Sequence, residues 1–372
     1  MNILIAPNAF KECAGQIEIA SLINSNFETD AFRSTVIPLS DGGDGFLEVC
    51  KQRFHLTEQV YEIPAPFDGA KIACKVGWKK DKSKIFIESA DILGLKIVPI
   101  NKRNPILLDS KGLGVLLKTI MTQESSLNNI VIGIGGTATN DLGLGAASIF
   151  GLKLLDDDGK YLPIIPRNYE LVKDLIWEQP RIVSKIEIIT DVENPLLGEN
   201  GAARSFARQK GASEKDIEIM ESGFENIIKI LRKKKLGAIT NILNGAGGGL
   251  AAGMQIFFNA IIKPASDFIF EDLGINNLSY NPDIIITGEG AFDSQTLMKK
   301  ASGILIEKFR NSGARIFIIC GISDPEIENK LPANVKIFPI IKYFKDEKES
   351  KKNYKMGIKM ACNEIKRIIG HN

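Results

Sequence analysis

Four short segments gather glycine, carboxylates and small polar side chains: Ser40-Asp41-Gly42-Gly43-Asp44-Gly45, Gly133-Ile134-Gly135-Gly136-Thr137-Ala138-Thr139-Asn140-Asp141, Thr190-Asp191-Val192-Glu193-Asn194-Pro195-Leu196-Leu197-Gly198, and Thr287-Gly288-Glu289-Gly290-Ala291-Phe292-Asp293-Ser294-Gln295-Thr296. Glycine lets a backbone approach a ligand closely, and amides at a helix start cradle an anion. Carboxylates suit Mg2+, and lysines suit phosphate. Together these groups describe phosphoryl transfer, in which placement and charge stabilisation do most of the catalysis. For any single segment, a turn with a helix cap explains the residues equally well. Four in one chain point to a polar site.

Other chemistries have little to draw on. The chain holds 2 histidines, one of them the penultimate His371, so a histidine triad or metal cluster is not expected. Its 5 cysteines show no C-x-x-C spacing, which argues against a disulfide framework or zinc site and for a reducing cytoplasm. A net charge of +2 on 372 residues gives no field for a nucleic acid or an acidic membrane. No G-x-x-x-x-G-K-[ST] loop is present. Gly133-x-Gly135-x-x-Ala138, with acids at Asp156–Asp158, does fit a dinucleotide fingerprint, so an NAD-dependent dehydrogenase is the alternative. Against it, Asp141 would repel a pyrophosphate docked there.

The elements that must position these segments follow from the hydrophobic rhythm. Strand-like runs alternate with helical patterns at the front (Asn2–Ala6, Gln16–Asn26, Ser34–Ile37, Gly45–Arg53) and at the back (Asp283–Ile286, Leu297–Asn311, Arg315–Cys320, Lys336–Pro339, Tyr354–Ile369). That alternation predicts a parallel sheet covered by helices. The runs Glu58–Ile63, Ala70–Trp78 and Lys84–Glu88 instead predict an antiparallel meander. We therefore expect residues 1–63 and 283–372 to form one discontinuous α/β domain, with 64–282 inserted as a mixed α/β domain. The apolar start Asn2–Ala6 is cut short by Pro7 and reads as a strand rather than a leader. The uncharged stretch Leu236–Ile262 is long enough for a bilayer, but Gly245-Ala246-Gly247-Gly248-Gly249 interrupts it, which favours a glycine loop and a buried helix.

With these segments in order, the sequence resembles the bacterial type I glycerate kinases. The likeness runs from Asn2 to about Gly321 and rests on Ala6-Pro7-x-x-Phe10-Lys11, Asp41-Gly42-Gly43, Glu88 to Pro99, Asn104-Pro105, Gly133 to Asp141, Asp191-Val192-x-Asn194-Pro195-Leu196-x-Gly198, Gln209-Lys210-Gly211-Ala212, Gly245 to Gly249, and Gly288-Glu289-Gly290-x-x-Asp293-x-Gln295-Thr296-Leu297-x-x-Lys300. The resemblance implies a flavodoxin-like parallel-sheet domain with a large inserted mixed α/β domain. It also implies ATP- and Mg2+-dependent phosphorylation of D-glycerate, 2-phosphoglycerate being the favoured product, in an interdomain cleft that closes over its ligands. Departures from the family pattern stand at Asn8, Ala9, Asp44, Ala291 and Lys299, where a carboxylate, a hydroxyl and a guanidinium are lost; they leave open a kinase-like protein with altered or lost activity.

Within that resemblance, Asp191 is expected to orient the glycerate hydroxyl or hold the metal, and Lys11 to neutralise charge as its catalytic companion. Gly135, Gly136, Thr137, Asn140, Asn194, Lys210, Asp293, Gln295, Thr296 and Lys300 are expected to bind substrate or phosphate, although Asp293, Gln295 and Thr296 also fit a helix cap. Asp41 and Glu289 are lesser metal candidates beside Asp191. A cytoplasmic enzyme acting on glycerate and ATP is expected, with no nucleic acid or membrane partner and a homodimer left open.

Overall fold

The computed structural model describes residues 1–237, 239, 243–293, 300–328 and 330–370. Among these, the strands in chain order are β1 (Asn2–Ile5), β2 (Arg33–Val36), β3 (Thr57–Pro64), β4 (Lys71–Trp78), β5 (Lys84–Glu88), β6 (Asn129–Gly133), β7 (Lys153–Leu155), β8 (Tyr161–Leu162), β9 (Asp174–Ile176), β10 (Lys185–Thr190), β11 (Ile261–Pro264), β12 (Ile284–Phe292), β13 (Arg315–Ser323) and β14 (Val335–Pro339). The chain divides into two compact units, Met1–Asp41 with Ala265–Asn372, and Gly42–Pro264. No helix among the described residues is long and apolar enough to cross a membrane.

The first unit holds a five-stranded sheet in the order β14-β13-β12-β1-β2, with every neighbouring pair parallel. Its central strands are continuous apolar runs: Ile284, Ile285 and Ile286 are fully buried, as a parallel sheet covered on both faces requires. The helices Gln16–Phe27 and Tyr354–Gly370 supply part of that cover, packing Ile19, Ile23, Ile358, Ala361 and Ile365 into one core with Ile3, Ile5, Ile284 and Ile286. β12 is longer than its apolar run. It stays paired with β13 as far as Phe292 and Ser323, so Thr287 to Phe292 lie within a strand rather than after one.

The second unit holds a six-stranded sheet in the order β11-β10-β6-β5-β4-β3. β3, β4 and β5 form the antiparallel meander, while β5, β6, β10 and β11 are parallel. The units divide at 41/42 and 264/265 rather than at 63/64 and 282/283. β3 joins β4 from Thr57 to Pro64 and so belongs to the larger sheet, while residues 265–282 group with the five-stranded unit, where Tyr280 Oη donates to Thr35 Oγ1 at 2.5 Å. A small antiparallel sheet, β8-β7-β9, has no counterpart in the sequence reading because its strands are only 2 or 3 residues long. The helix Glu214–Lys234 opens on a reciprocal Ser213–Asp216 capping box and ends in Arg232, Lys233 and Lys234, where cations suit the helix dipole. Within the uncharged stretch, a helix runs from Leu250 to Phe258 after Gly249.

Gly42 shows how closely the loops meet. Its φ is +94°, and a Cβ there would lie 2.3 Å from the carbonyl oxygen of Ile189. Gly42→Ala is therefore expected to lower unfolding stability by about 2–4 kcal/mol. Denaturant titration checks this, and an unchanged midpoint would contradict the close contact.

Candidate active site

In the larger unit the parallel strands end level with one another: Glu88 of β5 pairs with Gly133 of β6, and Gly133 with Ile189 of β10. The loops after all three therefore leave one edge of the sheet, where open α/β folds bind ligands. Beside them lies the Gly43–Gly45 turn. Glu88 is 7% exposed, and its two oxygens accept the amides of Gly45 and Leu47, each at 3.0 Å. This places a carboxylate at the start of the helix Phe46–Phe54, which the helix dipole favours. Burial nevertheless pushes the Glu88 carboxyl up to about 7, against the opposing pull of those amides.

The Gly133–Asp141 loop is held from several sides. A Cβ on Gly135 would fall 2.5 Å from the Gly43 Cα, so the two turns touch backbone to backbone. The Gly135 amide donates to Ser89 Oγ at 3.3 Å, and the Leu95 amide donates to the Gly136 carbonyl at 3.2 Å. Gly136 itself is exposed, with Asp44 and its partner Lys96 (3.0 Å) beside it. At the far end, the fully buried Asp141 carboxylate accepts the amide and hydroxyl of Ser110, each at 2.7 Å, and the amides of Gly143 (3.2 Å) and Gly145 (3.1 Å). Burial raises its pKa. Asp141 thus fixes the loop end rather than facing a ligand.

Lys210 differs from the expectation in its direction. It is 4% exposed, and its ammonium points into the loop, donating to Thr139 O (2.8 Å), Asn140 Oδ1 (2.9 Å) and Thr137 Oγ1 (3.3 Å). Burial lowers its pKa to about 7, and the Asp141 charge opposes that shift. Asn140 is fully buried against it, so neither side chain faces solvent as a phosphate ligand does. Asn194 also serves its own loop: its side-chain Nδ2 donates to Asn200 O (2.9 Å) and Ser205 Oγ (3.3 Å), while its backbone carbonyl accepts the Gly245 amide (2.7 Å). Asp191 is half-buried, one residue past β10.

In the five-stranded unit, Asn8 Nδ2 donates to Asp41 Oδ2 at 3.5 Å, and Lys11 is exposed. Lys300 Nζ lies 3.7 Å from Glu289 Oε2 and 3.6 Å from Asp293 Oδ1. Glu289 thus faces an ammonium group rather than a preformed cation site. Gln295, Thr296 and Lys299 lie outside the described residues. Among the described residues no three His, Cys, Asp or Glu side chains converge on a metal position. Mg2+ commonly takes one or two carboxylates and completes its shell with phosphate oxygens and water, so a single half-buried carboxylate such as that of Asp191 fits an ion that arrives with a phosphorylated substrate.

The structure thus gathers Gly135, Gly136, Thr137, Asn140 and Lys210 around one loop, and Glu289, Asp293 and Lys300 around another. Glu88, Ser89, Asp44, Lys96, Ser110 and Asp141 join the first of these loops without standing out in the sequence as ligand-binding residues. The available signal was Glu88-Ser89 at the end of an apolar run, in the position of a carboxyl-edge residue. The dinucleotide reading fails locally: after Gly133 the chain reaches a helix only at Leu144–Ser148, and Asp156–Asp158 sit in the turn of the hairpin formed by β7 and β8.

The glycerate kinase family model matches residues 3–370. The chain belongs to the glycerate kinase family. It is 29% identical to a glycerate kinase of Neisseria meningitidis serogroup B over 99% of both chains. It is 33% identical to a glycerate 2-kinase of Escherichia coli K12, over 81% of this chain and 80% of that one. The crystal structure of a Salmonella typhimurium LT2 protein assigned as glycerate kinase 2 is similar over 99% of this chain and 98% of that one, at 26% identity and a TM-score of 0.75. The chain is accordingly a phosphotransferase, and the dehydrogenase alternative is set aside.

Glu88 gives this site a pH signature. Its folded pKa lies above the ordinary 4.5, so its contribution to stability is complete below about 4.5 and is lost as pH rises through about 7. The stability difference between the wild-type chain and Glu88→Gln should therefore fall by on the order of 3 kcal/mol across that window, read from thermal unfolding at successive pH values. A flat difference would remove Glu88 as the source.

Proposed function

We propose that the chain transfers the γ-phosphoryl group of Mg-ATP to a hydroxyl of D-glycerate, the 2-hydroxyl being favoured, and releases ADP and 2-phosphoglycerate. The observation that carries this reading is the Gly133–Thr139 loop at the carboxyl edge of parallel strands, its Gly136 exposed and its Gly135 half-buried, backed by a buried lysine. The family membership supplies the substrate class, and the name of the Escherichia coli relative favours the 2-position. We read the five-stranded unit as flavodoxin-like, because its strands follow the order β2-β1-β12-β13-β14 and are all parallel.

In this reading Gly135, Gly136 and Thr137 meet phosphate oxygens. Asp191 accepts the hydroxyl proton as the glycerate oxygen bonds to the γ-phosphorus, and the bond to the β-phosphate oxygen breaks with its electron pair leaving on ADP. The transition state is loose, so placement of the hydroxyl by Asp191 matters more than its basicity. Mg2+, when bound through Asp191 or Asp41, supplies neutralisation of phosphate charge. Lys11, exposed in the turn between Phe10 and Ala14, and Lys300 complement the anionic groups of the substrates. Glu289 and Asp293 orient Lys300; Gln295 and Thr296 complete the proposed substrate-binding set.

The test is ADP release by the purified protein with Mg-ATP, with and without D-glycerate, the product being read by phosphorus NMR. Glycerate-dependent release and a 2-phosphate resonance are expected, and Asp191→Asn should lower turnover at least about tenfold. ATP binding without glycerate-dependent release would instead favour a kinase-like protein silenced by the residues at Asn8, Ala9 and Ala291. A normally active Asp191→Asn would remove Asp191 from the mechanism.

A further inference from the structure

The ammonium group of Lys210 occupies a cage of neutral oxygens. All three of its protons are engaged: by the Thr137 hydroxyl, the Thr139 carbonyl and the Asn140 side-chain carbonyl. These acceptors lie on three of the four residues that directly follow the exposed Gly136. One cation therefore sets the direction of a side-chain hydroxyl, a backbone carbonyl and a side-chain amide within a single turn of chain.

The surroundings reinforce that direction. Asn140 Nδ2 is buried and has no hydrogen-bond partner. Leaving a buried amide unpaired costs about 1–3 kcal/mol, so the contact between Oδ1 and the ammonium must dominate the orientation of this side chain. Gly248 presses on the same groups: a Cβ there would fall 2.2 Å from Asn140 Oδ1 and 2.3 Å from Thr139 O. The lysine end is fixed as well. Gly211 packs against the Arg103 carbonyl, and the Arg103 guanidinium donates to Val98 O (3.0 Å) and Leu95 O (2.8 Å). The Leu95 amide in turn holds the Gly136 carbonyl, so the glycine turn is clamped from both sides by groups that meet at residues 210 and 211.

We propose that Lys210 is a positioning residue, an internal cation that gathers the oxygens of Thr137, Thr139 and Asn140 and thereby fixes the glycine turn that receives phosphate. Its catalytic consequence rests on the kinase reading above; its effect on the turn does not. Because Thr137 Oγ1 accepts from the ammonium, its own proton is left to point elsewhere, which suits donation to an anionic oxygen. A group that holds the turn in the transition-state geometry acts on turnover rather than on ground-state affinity.

The test uses the full chain with Lys210→Met, Lys210→Ala and Asn140→Leu, each checked for native circular dichroism. Hydrogen–deuterium exchange of residues 133–141 is read alongside steady-state kinetics. In Lys210→Met we expect exchange in this segment to rise about tenfold or more, and kcat to fall about 30-fold with KM for both substrates within about threefold of wild type. n-Propylammonium, which replaces the missing chain and charge in Lys210→Ala, should restore both protection and turnover, whereas n-propanol should not. Wild-type exchange and turnover in a folded Lys210→Met would overturn the proposal, as would a raised KM at unchanged kcat, the mark of a direct substrate contact. If the wild-type chain shows no glycerate-dependent activity, the kinase reading fails, and the exchange data with propylammonium still decide the proposal. If the lysine variants do not fold, Asn140→Leu decides in their place: it retains the lysine and removes one oxygen of the cage, and wild-type exchange and turnover in it would overturn the proposal.

Discussion

Much of the larger unit turns on the carbonyl oxygen of Ile189. It accepts the Ile134 amide at 2.9 Å, which ties the loop after β6 to β10, and Gly42 approaches it so closely that no side chain fits between them. Three segments from different parts of the chain thus meet at one oxygen, backbone to backbone. Such contact is available only where Cβ atoms are missing, and that is why the glycines cluster in runs. Once the three segments touch, Glu88 and Ser89 have fixed partners, and the exposed face of the Gly135–Gly136 turn is what remains for a ligand.

Pattern alone reveals the parts of this fold that depend on local rules. The meander from β3 to β5 shows itself by strand period and turn residues, and the helix Glu214–Lys234 by its cap and basic end. What pattern does not carry is pairing over long separations. Thr287 to Phe292 look like a loop because glycine and glutamate interrupt the apolar run, yet β13 holds them in register through Ser323. The unit boundary shifts for a related reason: Thr57–Pro64 reads as the first strand of the meander, but the helix Phe46–Phe54 before it continues the α/β rhythm of the front of the chain, and only tertiary contacts place that helix in the larger unit.

The candidate site was legible in its glycines and less so in its buried charges. Lys210 and Asn140 stand out by residue type, which does not say whether a side chain faces a ligand or its own backbone. Asp141 was read as an obstacle to a pyrophosphate; its burial makes it a four-fold acceptor for Ser110, Gly143 and Gly145. Distinguishing these cases requires knowing which groups are excluded from water, and burial is set by the whole unit rather than by spacing along the chain.

Buried charges seldom add stability over well-packed apolar groups, because removing them from water is costly. They do restrict alternatives: an ammonium or carboxylate surrounded by matched partners leaves a loop few other conformations of similar energy. Asp141 and Lys210 act in this way on the loop from Gly133 to Asp141, so its form is determined before a ligand arrives. The Lys300 contacts with Glu289 and Asp293 differ. At 3.6–3.7 Å they exceed hydrogen-bond distance. The departures from the family pattern at Asn8, Ala9 and Ala291 fall in the five-stranded unit. Substitutions there leave untouched the contacts that hold the Gly133–Asp141 loop, so they perturb that turn less than a change at Lys210 or Asp141 would.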